Sequence, residues 1–205
     1  MLLNQTRFAT PCNFNNIYVY AVPNINTVTS LTTRTNYLND AQKQLILNNI
    51  TPYKIATSEI IIADPVYMAI DIGLPSNNET LTPDIADNTF LQITVNTNNN
   101  NTISSIQQMV SDIFTNYFNT TEDNLGLLID INYLTSQILQ IENVTGVQTV
   151  RNGNTKNGIS LLVYNPVYTE ADIQNIQQNY QLQYFQYPYL NNQLDFINKI
   201  QVITK

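Results

Sequence analysis

Apolar and polar residues alternate most clearly from Ser58 to Leu74, SEIIIADPVYMAIDIGL. Ile60 and Ile62 precede Pro65, and Val66, Met68, Ile70 and Ile72 follow it at period two. Successive strand side chains face opposite sides, so this spacing predicts one long strand with a continuous apolar face over Glu59–Leu74. Pro65 cannot donate to a ladder and marks an edge position or a bulge. Asn16–Pro23, NIYVYAVP, is rich in β-branched and aromatic residues and has two apolar faces, which predicts an inner strand covered on both sides. Thr89–Asn96 reads as a further strand, with Phe90, Ile93 and Val95 as candidate buried residues.

The period changes from two to about 3.6 in three places. Asn39 or Asp40 can cap a short helix over Asp40–Asn49, ended by Thr51-Pro52. After the loop NTNNNNT (Asn96–Thr102), residues Ile103, Ile106, Val110, Ile113 and Tyr117 recur at spacings of three and four, flanked by Met109 and Phe114, and predict a helix over Ile103–Phe118. A second helix is expected over Asp130–Glu142, capped by Asp130, with Ile131, Leu134, Ile138 and Ile141 as its stripe. The turn-rich NGNTKNG between Val147–Arg151 and Ile159–Tyr164 predicts a hairpin of those two strands. Beyond Pro166 the pattern is less regular: a short helix over Thr169–Gln178, an extended Tyr180–Tyr189, and a helical turn followed by a strand in Gln193–Lys205. The fold class expected is α+β, with mixed or antiparallel strands, two main amphipathic helices packed on them, and a C-terminal extended segment. The expected division is 1–97, 98–165 and 166–205, or one compact unit.

Composition narrows the function. The chain has 205 residues, enough to bury a core without disulfides or metals. Only 11% of residues are charged, against about a quarter in typical proteins, and asparagine fills about one position in six or seven. Codon drift explains the asparagine first, and a surface of neutral amides covered by partners second. Net charge is −7 with no basic run, which excludes the clustered cations that nucleic acid or an anionic membrane surface requires. The lone Cys12 cannot form an internal disulfide, no apolar run reaches the length of a membrane helix, and MLLNQTRFAT lacks a signal-peptide core. Assembly in a cytoplasm is the expectation, and the six Asn-x-Ser/Thr sequons are read as unglycosylated.

Chemistry is scarce. There is no histidine, which removes the commonest general base, the Ser-His and Cys-His pairs and imidazole ligands. Five glycines form neither GxGxxG nor GxxxxGK[ST], so no cofactor or metal is expected. Two carboxylates suffice for glycoside hydrolysis, and Glu59, Asp64, Asp71, Glu122 and Asp123 are the acids to weigh for it. Asp64 precedes a proline, where a carboxylate closes a turn, and Asp71 is expected to be solvated. Asp84-Ile-Ala-Asp87-Asn88 is too sparse for a calcium loop. The tract Tyr180, Tyr184, Phe185, Tyr187 and Tyr189 offers stiff, amphipathic area of the kind enriched at protein interfaces, and equally suits the interior of a strand.

The order of these elements carries a resemblance. NIYVYAVP is followed by AQKQLILNNI, then EIIIADPVYMAIDIGL, an apolar helix ending in Tyr117-Phe118, a link with Leu125-Gly126, a second helix, and Thr145-Gly146-Val147 opening a strand. Over about Asn15–Tyr164 this resembles the C-terminal region of the baseplate wedge protein of T-even-type contractile phages, in the baseplate J-like family. The resemblance implies a non-enzymatic part of a virion tail baseplate. Its expected partners are other baseplate wedge proteins and a second copy of the chain, closing as a homo- and hetero-oligomer around the tail hub. Wedge proteins of that group carry a long portion ahead of this region, whereas here Met1 stands close to it, so a minimal homologue or a fragment is expected. A receptor- or glycan-binding tail module is the alternative, and would require a concave, aromatic-lined site open to solvent.

Overall fold

A computed structural model describes residues 16–23, 37–54, 58–96, 102–119, 124–166, 173–191 and 193–205. The fold is α+β, as expected: helices pack with small mixed sheets. The described residues up to Pro65 form one unit, and Val66–Lys205 form a second.

In the first unit, strand β1 (Asn16–Tyr20) pairs in parallel with β2 (Glu59–Ala63), Ile17 opposite Ile60. Helix α1 (Asp40–Ile50) lies between them in sequence and packs on β2. Asn39 caps it in a reciprocal box with Gln42, each side chain accepting the other's backbone N–H at 2.9 Å. Lys43 Nζ reaches Asp64 Oδ2 at 2.7 Å. Among the described residues the sheet has two strands and Ile17 is 40% exposed, so there β1 is an edge strand and not the inner strand its two apolar faces predicted.

The long strand over Glu59–Leu74 is also corrected. It breaks at Asp64-Pro65 into β2 and β3 (Val66–Ile72), which belong to different sheets. Proline has no N–H to continue a ladder, and the chain resumes pairing at Val66, whose N–H donates to the Phe185 carbonyl at 2.9 Å.

The second unit continues with β4 (Thr89–Val95), α2 (Ile103–Asn119), β5 (Leu128–Ile129), α3 (Ile131–Leu139) and β6 (Val144–Arg151). Then come β7 (Asn154–Asn157), β8 (Leu161–Tyr164), β9 (Gln174–Ile176), β10 (Tyr180–Gln181), β11 (Gln186–Leu190), a 3-10 turn (Gln193–Lys199) and β12 (Ile200–Thr204). Two four-stranded sheets result, β11-β3-β8-β9 and β12-β4-β6-β7, with a small β10–β5 pair. Both sheets share one plan: a late strand lies parallel to the first, and two further strands run antiparallel beyond it. These pairings tie residues 186–204 to residues 66–95, across the divisions expected after 97 and 165.

The core forms where apolar faces of these elements meet. Met68, Ile70 and Ile72 of β3, Leu91, Ile93 and Val95 of β4, and Ile131, Leu134 and Ile138 of α3 are all in it. On α2 the buried stripe is Ile106, Val110, Phe114 and Phe118, whereas Ile103 is 53% exposed and Ile113 and Tyr117 are half-buried. The stripe is rotated from the expected one because burying a large side chain is worth about 1.5–3 kcal/mol, and the two phenylalanines carry the largest areas. Phe114 meets the Phe196 ring at a centroid distance of 4.9 Å. On β4 the buried set is Thr89, Leu91, Ile93 and Val95, so Phe90 sits on the opposite face from the one expected.

Two C-terminal expectations change as well. β6 turns through Asn152-Gly153, both at positive φ (48° and 82°), and pairs with β7. This is the geometry of a two-residue hairpin turn. β8 instead joins β3 and β9. Gln174–Ile176 is a strand rather than part of a helix, while residues 167–172 lie outside the described residues. The last segment follows its pattern, a helical turn and then a strand.

Candidate functional site

β3 is buried on both faces, and its second face gathers the polar chemistry. Tyr67, Ala69 and Asp71 point away from the shared apolar cluster by strand alternation. Tyr187 and Tyr189 of β11 pack edge-on against Tyr67, with ring centroids 5.6 and 6.4 Å away. Both are buried, at 7% and 4% exposure. Further along, Tyr164 Oη donates to Asp71 Oδ2 at 2.7 Å, and Asn191 Nδ2 donates to the same oxygen at 2.8 Å and to Tyr164 Oη at 3.0 Å.

Asp71 was expected in solvent and is 6% exposed. Its burial raises the carboxyl above the ordinary range, against the two hydrogen bonds that favour the anion. Burial and the neighbouring carboxylate push the Tyr164 phenol up. Enclosed by its own partners, the carboxyl fixes β3, β8 and the end of β11 to one another. The signal for it was period two itself, which puts Asp71 with Tyr67 and Ala69 opposite the core residues.

The remaining tract residues do not join this face. Tyr180 lies half-buried against the core, and Tyr184 is 49% exposed. Tyr184 and Phe185 meet edge-on at 5.3 Å in the turn between β10 and β11. Gly126, at φ 68°, packs under that turn: a Cβ there would stand 3.0 Å from Tyr184 Cα. Its N–H donates to the Gln186 carbonyl at 2.9 Å.

The acids weighed for catalysis have separate surroundings. Glu59 is exposed, Asp64 pairs with Lys43, and Glu122 and Asp123 lie outside the described residues. Glu79, which the sequence did not single out, forms a two-point pair with Arg151: Nη1 to Oε2 at 2.5 Å and Nη2 to Oε1 at 2.9 Å. With the Ser76 N–H also donating at 2.7 Å, Arg151 holds the Glu79 carboxyl down at about 2. This pair anchors the loop after β3 to the end of β6. Among the described residues no group of three or more His, Cys, Asp or Glu could hold a metal ion, and no helix is long and apolar enough to cross a membrane.

One concave surface opens between α2 and α3. It encloses about 440 Å³ and is lined by Ile113, Asn116, Tyr117, Leu127, Tyr133 and Gln137. Tyr117 bridges the interhelix link, donating to the Leu128 carbonyl at 2.7 Å and accepting from the Asp130 N–H at 2.8 Å. Its ring lies 5.8 Å from that of Tyr133, which is half exposed. No protein-family model matches the sequence, and no curated protein matches it.

Proposed function

We propose that this chain is a structural subunit of a contractile phage tail baseplate. It acts as a wedge component that joins neighbouring subunits into a ring around the tail hub and relays the trigger for sheath contraction. The observation that carries this reading is the succession of sequence features from NIYVYAVP to Thr145-Gly146-Val147, with its resemblance to the wedge family. A second observation supports it. Leu45, Tyr53, Leu128, Tyr133, Leu139 and Tyr184 are large apolar side chains with 44–87% exposure. Exposed apolar surface of that kind suits a protein that works covered by neighbours. The titratable groups described above serve packing and loop anchoring, which suits a part without an active site. The partners proposed are other wedge proteins and a second copy, in the virion, after assembly in the host cytoplasm.

The test is to tag the chain in the system that expresses it and identify what co-purifies at near-equal stoichiometry. Tail and baseplate proteins are the expected result. Recovery of the chain alone would overturn the reading. One observation favours a glycan-binding tail module instead, the open groove with Tyr133 beside the Asn116 and Gln137 amides. Saturable binding on a glycan array, abolished by Tyr133→Ala, would decide for it.

A further inference from the structure

The stretch Asn152–Gly158, NGNTKNG, holds both Asn-Gly pairs of the chain. Asparagine side-chain amides are chemically labile. Before glycine they are most so, because no Cβ shields the backbone nitrogen that follows. Asn152 and Asn157 are both exposed and share this local chemistry, but the fold holds the two pairs differently.

Asn152 and Gly153 are the two turn residues between β6 and β7, at φ 48° and 82°. Among the described residues neither the Asn152 amide nor the Gly153 N–H makes a hydrogen bond. The Arg151–Asn154 pair closes this turn, so opening the tip releases one pair at the end of a hairpin, where structure frays most readily. The second pair is tied down. The Gly158 N–H donates to the Val147 carbonyl at 2.9 Å, and the Gly158 carbonyl accepts from Thr149 Oγ1 at 2.9 Å. Behind it Ile159 and Ser160 are buried, and the Ser160 N–H donates to the same Thr149 hydroxyl at 3.0 Å. Space does not separate the two pairs, since a Cβ at either glycine would meet nothing within 4 Å. The hydrogen bonds do.

We propose that Asn152-Gly153 is a self-modification site, at which the folded chain converts asparagine to aspartyl and isoaspartyl residues, and that the bonds at Gly158 keep Asn157 from following. The Gly153 backbone nitrogen attacks Asn152 Cγ and a new C–N bond closes a five-membered imide. The Cγ–Nδ2 bond breaks, and ammonia leaves with the proton given up by the Gly153 nitrogen. Water then adds to one of the two imide carbonyls. Opening on one side gives aspartate, and on the other isoaspartate. No oxidant, metal or enzyme enters the balance. Attack needs Asn152 to rotate its side chain over the Gly153 nitrogen, which the unbonded tip permits. At Asn157 the same rotation must first pull the Gly158 N–H from Val147 and its carbonyl from Thr149. The product carries a new carboxylate next to Arg151. Its isoaspartyl form lengthens the turn backbone by one carbon, at the point where the β6–β7 register begins. The proposal goes beyond the baseplate reading and stands without it.

Ageing the purified full chain tests it. One sample is kept folded at mildly alkaline pH and a second is kept unfolded in guanidinium chloride at the same pH. Both are then digested with trypsin under mildly acidic conditions. Cleavage after Arg151 and Lys156 places the two asparagines in different peptides, and mass spectrometry with fragment ions reads the conversion at each. In guanidinium the two sites should convert at similar rates, since their local chemistry is the same. In the folded chain Asn152 is expected to convert about tenfold or more faster than Asn157, because two ordinary hydrogen bonds must first break at the second site. Equal rates at the two sites in the folded chain, or a faster Asn157, overturn the proposal. So does an Asn152 that is unconverted in the folded chain when the unfolded sample has converted fully.

Discussion

Gly73 ends β3 at a point where the interior has no room for a methyl group. A Cβ there would stand 2.2 Å from Leu162 Cγ and 2.4 Å from its Cδ1. Leu162 is fully buried. The backbone cannot retreat, because the Gly73 N–H donates to the Ser160 carbonyl at 3.1 Å. Its own carbonyl accepts from Ser160 Oγ at 2.7 Å and Asn175 Nδ2 at 2.9 Å. Gly73→Ala must therefore displace Leu162, an overpacking cost of about 1–3 kcal/mol. Leu162→Ala alone leaves a cavity and costs about 2–5 kcal/mol. In the double variant the new methyl enters space the leucine vacates, so the loss should fall below the sum of the two by about 1–3 kcal/mol. Urea unfolding followed by circular dichroism, with equal m-values across the four proteins, measures this coupling. Additivity within about 0.5 kcal/mol would refute the close approach of Gly73 and Leu162 and the β3–β8 register behind it.

Phe114→Ala should destabilise by about 3–5 kcal/mol and Ile103→Ala by less than about 0.5, measured in the same way, because the first is fully buried and the second half exposed. Because Asp71 has its pKa raised on folding, the folded state holds its proton more tightly than the unfolded one. Its cost is thus absent below the ordinary value of 3.8 and grows as pH rises through the raised folded value. Asp71→Asn should flatten that decline in a stability-versus-pH series. Glu79 has the opposite sign: its stabilisation is complete above about 4.5 and is lost as pH falls toward about 2. Glu79→Gln should remove that acid-side loss. Gly153→Ala places a side chain at φ 82° in the β6–β7 turn and should cost about 1–2 kcal/mol in thermal unfolding.

Local pattern carried much of this fold. Caps at Asn39 and Asp130, both helices of the second unit and the final turn-and-strand were legible because each depends on residues within a few positions. What failed depended on partners distant in sequence. The β3 alternation was correct, yet which strands flank it rests on contacts with residues 161–164 and 186–190. A turn motif at Asn152-Gly153 fixed the start of a hairpin but not which later segment returns to β6. The later half of the α2 stripe shifts by one residue, from Ile113 and Tyr117 to Phe114 and Phe118, and one ring that Phe114 meets there, Phe196, lies far along the chain. Asp71 shows the same limit for the site. Its place on a strand face was readable, but its burial depends on Tyr164 and Asn191, and no spacing rule links the three.

Quantitative mass spectrometry of purified tail particles from the system that encodes this chain tests the functional account most directly. The chain is expected in the particle alongside other baseplate proteins, at near-equal stoichiometry with them. Its absence from particles, with all of it recovered as free protein, would contradict the account.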